Sequence, residues 1–175
     1  MRNSGKFFGI VFAVTIGGTL ISGCTTDGGQ KSTVKAGAST MTTASNPSIP
    51  TVTGAAGSAP TISAPQGAAP TTLLTQDVIV GSGKEALATS TLTVHYTLMA
   101  WSTGKVVESS WSSGQPAQFA LAQVIPGWQQ GIPGMKEGGR RVLVIPPALA
   151  YGSAGGGPIG PNETLVFVVD LIGVA

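Results

Sequence analysis

Three stretches of this chain hold side chains whose types and spacing suit a binding pocket: Val124-Ile-Pro-Gly-Trp128, Ala150-Tyr-Gly152, and the run from Gly156 to Phe167. They set apolar and aromatic groups around turns fixed by proline and glycine. They offer no nucleophile, no general base and no metal ligand, and that combination points to a pocket for an apolar ring.

Bond-making chemistry finds little support elsewhere. A hydrolase needs a nucleophile with a base beside it. The only His in the chain, His95, falls on the face of an alternating segment expected to meet solvent. A zinc site wants three or four clustered ligands, and one His with one Cys cannot supply them. Gly155-Gly-Gly157 is not followed by the Lys and helix that a phosphate loop requires. A reaction that breaks no bond fits better. Rotation about an Xaa-Pro amide has a barrier of about 18 to 20 kcal/mol, because resonance is lost as the bond twists. A water-poor aromatic pocket favours the less polar, twisted amide over the planar one.

The elements that must position these residues are legible from periodicity. In Thr91 to Leu98, the residues Leu92, Val94, Tyr96 and Leu98 alternate with Thr91, Thr93, His95 and Thr97. That period of two predicts a strand with the first set buried and the second exposed. Arg141 to Ile145 and Leu165 to Ile172 are further strand-like runs. The latter is almost unbroken in Leu, Val, Phe and Ile, which is the pattern of a central strand. Between them, Pro126 to Ile132 starts with a proline suited to a first helical turn and ends among glycines, so it allows only one or two turns of helix. One short helix on an antiparallel sheet makes a small α+β domain.

Composition says where that domain sits in the chain. Charged residues are only 9% of the 175, with 26 Gly and 12 Pro, so a packed core of the whole length is not expected. Arg2 and Lys6 account for the formal net charge of +2. From residue 73 onward Lys84, Lys105, Lys136, Arg140 and Arg141 are outnumbered by Asp77, Glu85, Glu108, Glu137, Glu163 and Asp170, which disfavours nucleic acid as a partner. The apolar run Phe7 to Ile21 has about 15 residues, short of the roughly 20 that span a bilayer, and is read as an export signal. It ends in Ile21-Ser-Gly-Cys24, which is similar to the lipobox of bacterial lipoproteins; the resemblance implies cleavage after residue 23, acylation of Cys24 and anchoring in the cell membrane or envelope. Between Lys35 and Asp77 there is no Asp, Glu, Lys or Arg, and Ala, Thr, Ser, Gly and Pro dominate. Residues 24 to 72 are therefore expected to be a disordered tether with a span of roughly 40 Å. The expected division is a signal over 1–23, the tether over 24–72 and the folded domain over 73–175.

Gly114-Gln-Pro-Ala117, Gln123-Val-Ile-Pro-Gly-Trp128 and Gly156-Gly-Pro-Ile-Gly-Pro-Asn-Glu-Thr-Leu165 make residues 73 to 175 resemble the FKBP-type peptidyl-prolyl isomerases, closest to the macrophage infectivity potentiator branch. The resemblance implies a twisted antiparallel sheet wrapped around one short helix, Xaa-Pro isomerisation without cofactor or metal, proline-containing polypeptides as partners and macrolides as inhibitors. By the same resemblance Trp128 is the pocket floor. Tyr96, Val124, Ile125, Tyr151, Ile159 and Phe167 are its walls, the Ile125 N–H and the Tyr151 hydroxyl hold substrate carbonyls, and Phe119 and Phe167 close the apolar side. Where the family usually has Phe-Asp, this chain has Val107-Glu108, which implies a wider pocket and a shifted carboxylate, and Leu98 stands where a glycine is usual. The branch's helical dimerisation arm is absent, so a monomer is expected. The function expected is assistance to the folding of exported proteins; the alternative is a weakly catalytic module that binds a proline-bearing partner.

Overall fold

The computed structural model describes residues 49–175. The expected signal, Cys24 and the first half of the tether lie outside the described residues. In chain order the strands are β1 (Val52–Thr53), β2 (Thr61–Ile62), β3 (Leu74–Ile79), β4 (Thr91–Ala100), β5 (Lys105–Ser109), β6 (Ala117–Ala120), β7 (Arg140–Ile145) and β8 (Leu165–Val174). The helix α1 (Pro126–Gly131) lies between β6 and β7. β3 to β8 form one antiparallel sheet in the order β3-β7-β8-β4-β5, with β6 added beside the first half of β4. β8 thus lies between β7 and β4, as its unbroken apolar run requires.

One face of the sheet carries the main core: Leu92, Val94, Leu98, Leu143, Ile145, Phe167, Val169 and Leu171 pack with Trp128 and Ile132 of the helix segment. Two glycines let α1 approach β7 this closely. A Cβ on Gly127 would lie 2.4 Å from Ile145 Cγ2, and one on Gly131 would lie 2.4 Å from Leu143 Cδ2. Any side chain at either position would lift the helix, and Trp128 with it, off the sheet.

The opposite face corrects two sequence-based expectations. Residues 49–72, which composition places in the disordered tether, run along this face as a strap. β1 and β2 pair as a small hairpin, and Ile49, Val52 and Ile62 pack against Met99, Val142, Val144, Val166 and Val168. Arg140, fully buried, donates from Nη1 to the Gly54 carbonyl (3.1 Å) and from Nη2 to the Ser58 carbonyl (2.6 Å). The strap is too sparse in apolar groups to form a core alone, but an apolar sheet face already formed by β4, β7 and β8 can hold it.

The second correction concerns β4. Of its expected solvent set only Thr91 is exposed; Thr93 is half-buried and Thr97 is only 4% exposed, as is Met99 beyond it at 3%. His95 is half-buried and stacks on Trp111 with centroids 3.9 Å apart. Its Nδ1 lies 2.9 Å from Ser110 Oγ, an atom that also accepts the Tyr96 N–H. The Ser110 hydroxyl is thus bound into the strand and is no exposed nucleophile.

Arg140 also donates from Nε to Asp170 Oδ1 (2.8 Å), and Nη2 lies 2.7 Å from the same oxygen. Burial pushes the Asp170 carboxyl above its ordinary value, against the pull of Arg140.

Candidate functional site

The pocket-forming residues converge from seven places in the chain. β4 supplies Tyr96 and Leu98, β5 supplies Glu108, β6 supplies Phe119 and β8 supplies Phe167. The segment before α1 supplies Gln123, Val124 and Ile125, and the helix supplies Trp128. Tyr151 comes from the loop after β7. Together they line a cavity of about 460 Å³ on the helix side of the sheet.

Trp128 is the hub of its aromatic walls. Its ring meets Phe167 edge to face at 5.3 Å between centroids, Phe119 at 5.6 Å and Tyr96 at 6.2 Å. Interplanar angles of 77° to 87° are those favoured by ring quadrupoles, so the rings brace one another. Trp128 is 4% exposed, and among the described residues its Nε1 has no partner. The Gln129 side chain donates to the Val124 carbonyl (2.7 Å) and holds the segment that presents Val124 and Ile125 to the cavity. The Ile125 N–H is given to no backbone carbonyl among the described residues.

The polar groups are few. The Tyr96 hydroxyl donates to Glu108 Oε1 at 2.5 Å. Burial, and then the neighbouring carboxylate, push the Tyr96 phenol well above its ordinary value, so it stays protonated and keeps donating. The Tyr151 ring is 41% exposed and lies against Gly156, where a Cβ would come 2.9 Å from Tyr151 Cδ1. Gly155, at φ 69, turns the same loop in the left-handed region with no room for a side chain. The arrangement excludes water over an apolar ring-sized volume and leaves hydrogen-bonding groups at its edge. It has no pair of groups suited to nucleophilic attack.

Of the residues singled out in the sequence, Tyr96, Glu108, Phe119, Val124, Ile125, Trp128, Tyr151 and Phe167 all line the cavity. Val107 and Ile159 do not. Val107 packs, half-buried, against the main core cluster. The β4–β5 register shifts between Leu98 and Met99, which leaves Val107 as the extra residue of a bulge, so alternation could not assign its face. Ile159, 8% exposed, is a core residue that anchors the glycine loop through its paired backbone bonds with Gly156. Two lining residues were missed. Leu98 is 2% exposed and sits in register between Phe167 and Glu108, a place that its period-two relation to Tyr96 signalled. Gln123 opens the Gln123-Val-Ile-Pro-Gly-Trp128 motif, which was the one sign of its place.

A family model described as FKBP-type peptidyl-prolyl cis-trans isomerase matches residues 83–172. The FK506-binding protein of Streptomyces anulatus is 53% identical over 106 residues, covering 58% of this chain and 86% of that protein. The isomerase FkpA of Escherichia coli is 45% identical over 104 residues, covering 58% of this chain and 37% of FkpA. The crystal structure of AtFKBP13 superposes with a TM-score of 0.55 at 39% identity, over 61% of this chain and 96% of that one.

Proposed function

The chain belongs to the FKBP-type peptidyl-prolyl cis-trans isomerases and is an enzyme of that activity; from this premise we infer that the Trp128-floored cavity is where the Xaa-Pro bond turns, and that the chain does this for exported proteins at the cell envelope. The observation that carries the site is the braced cage of Tyr96, Phe119, Trp128 and Phe167 around a cavity with no catalytic pair. The prolyl ring enters over Trp128. The amide then lies in a water-poor space in which its planar, more polar form is poorly solvated, while the twisted form loses less. The free Ile125 N–H and the Tyr151 hydroxyl hold the flanking carbonyls, so the chain on one side of the bond is fixed while the other rotates. Glu108, held by Tyr96, closes the polar edge. Macrolides of the kind that name the Streptomyces relative would occupy the same cage.

Tyr151→Phe tests this assignment, because it removes one hydroxyl and keeps the ring. In a protease-coupled isomerisation assay, kcat/KM is expected to fall by about 2- to 13-fold, the net worth of one hydrogen bond, with Tm unchanged. Unaltered kcat/KM in the folded variant would remove Tyr151 from the mechanism.

The envelope location rests on the signal-like run before Cys24. Cys24→Ala is expected to leave an unprocessed precursor or to release the protein from membranes. A variant that fractionates and migrates like the parent would refute lipid anchoring. A monomer in solution, and the likeness to the infectivity-potentiator branch in the catalytic domain, belong to the same proposal.

A further inference from the structure

A second cavity, of about 490 Å³, adjoins the first across a single peptide link: Tyr151 lines the isomerase cavity and Gly152 lines this one. One wall is the end of the strap, with Pro70; the other is Pro146 and Pro147 after β7; Ser153, Asn162 and Thr164 complete it. Prolines on both sides fix the backbone dihedrals of the walls. The floor is held by the Asn162 N–H, which donates to the Gly152 carbonyl at 2.9 Å with Asn162 in the left-handed region at φ 55. None of the lining residues is charged, while hydroxyl and amide groups are spread along the cavity.

We propose that this groove is an extended subsite for the substrate polypeptide, taking an uncharged, extended segment that flanks the proline being turned. The inference rests on the isomerase reading of the first cavity. Continuity decides the occupant: a chain whose proline sits over Trp128 and whose carbonyl reaches Tyr151 needs to run only a few residues, at about 3.3 Å each, to lie along Gly152 and Ser153. Charge decides its character. A charged flanking residue would give up hydration in the groove and find no ionic partner, whereas Ser153 and Asn162 can replace the water of an uncharged polar one. Because the strap forms one wall, the subsite exists only while residues 69 to 71 are docked.

The test uses the full chain and three kinds of proline peptide: a tetrapeptide, the same core lengthened by about four uncharged polar residues, roughly 13 Å of extended chain, and the same core lengthened by Glu and Lys. Extensions before and after the proline are made separately. An uncharged extension on one side is expected to raise kcat/KM over the tetrapeptide by about 3- to 10-fold, chiefly through KM, and the charged extension is not. Ala69→Trp, at an exposed strap residue that does not line the Trp128 cavity, is expected to fill the groove and abolish that gain while tetrapeptide turnover stays unchanged. Tetrapeptide turnover with no gain from either extension, or a gain that survives Ala69→Trp, overturns the subsite alone. Absence of tetrapeptide turnover overturns the isomerase assignment of the first cavity and the subsite with it.

Discussion

Arg140→Ala is expected to be the most destabilising single change on the strap side of the sheet, at about 3 to 5 kcal/mol in chemical denaturation. Its guanidinium is fully buried, and its loss leaves the carboxylate of Asp170, 7% exposed, without a counter-charge. Asp170 Oδ2 already lacks a hydrogen-bond partner among the described residues, and of the nearby groups only His95 could offset the lost charge. The same change removes both hydrogen bonds to the strap at Gly54 and Ser58, so limited proteolysis is expected to cut within residues 49–72 of the variant first. Two measurements separate charge burial from strap loss. Replacing the pair together, as Arg140→Met with Asp170→Leu, is expected to recover much of the stability, because an apolar pair needs no solvation. Acidification is expected to shrink the deficit of the single variant. In the parent, burial already holds the Asp170 carboxyl above its ordinary value of 3.8, and the variant loses the guanidinium that pulls it down, so the variant's stability is highest below 3.8 and is lost as pH rises through the raised folded-state value. A deficit that is independent of pH and persists in the double variant would assign the effect to the strap contacts alone.

Phe167→Ala is expected to damage both fold and activity. Phe167 is 6% exposed on the central strand β8, in register with Leu98 on one side and Leu143 on the other, and its ring meets Trp128 at 5.3 Å. Truncation opens a void in the main core at a cost of about 3 to 5 kcal/mol and removes a wall of the cage. Phe167→Leu separates the two effects. It keeps most of the volume, so the stability loss is expected to stay under about 1.5 kcal/mol, while kcat/KM falls because the ring no longer closes the apolar side. Equal activity of the Leu variant and the parent would show that Phe167 is core alone.

The elements that build the cage were legible because each is announced over a few residues. Period two marks β4, an unbroken apolar run marks β8, and a proline at its first position with glycines after it marks α1. The order of the motifs around Trp128, Tyr151 and Phe167 pointed in the same way to residues that line the cavity, since each motif is local and its neighbours follow in sequence. Val107 shows where that logic stops: a bulge shifts the register, and its position depends on how β5 meets β4.

What the chain determined by itself is thus the local pattern: strands, the short helix, and an aromatic pocket with no bond-making groups. The tertiary structure alone decided that the other face of the sheet is covered. Arg140 and Gly54 are 86 positions apart, and no periodicity connects them. Ile49, Val52 and Ile62 are too few to announce a core in an uncharged, Ala- and Thr-rich stretch, and their burial becomes favourable only against the valines of β7 and β8. Those strands are apolar on both faces because the strap needs the second one, and that requirement appears only when residues distant in sequence are brought together.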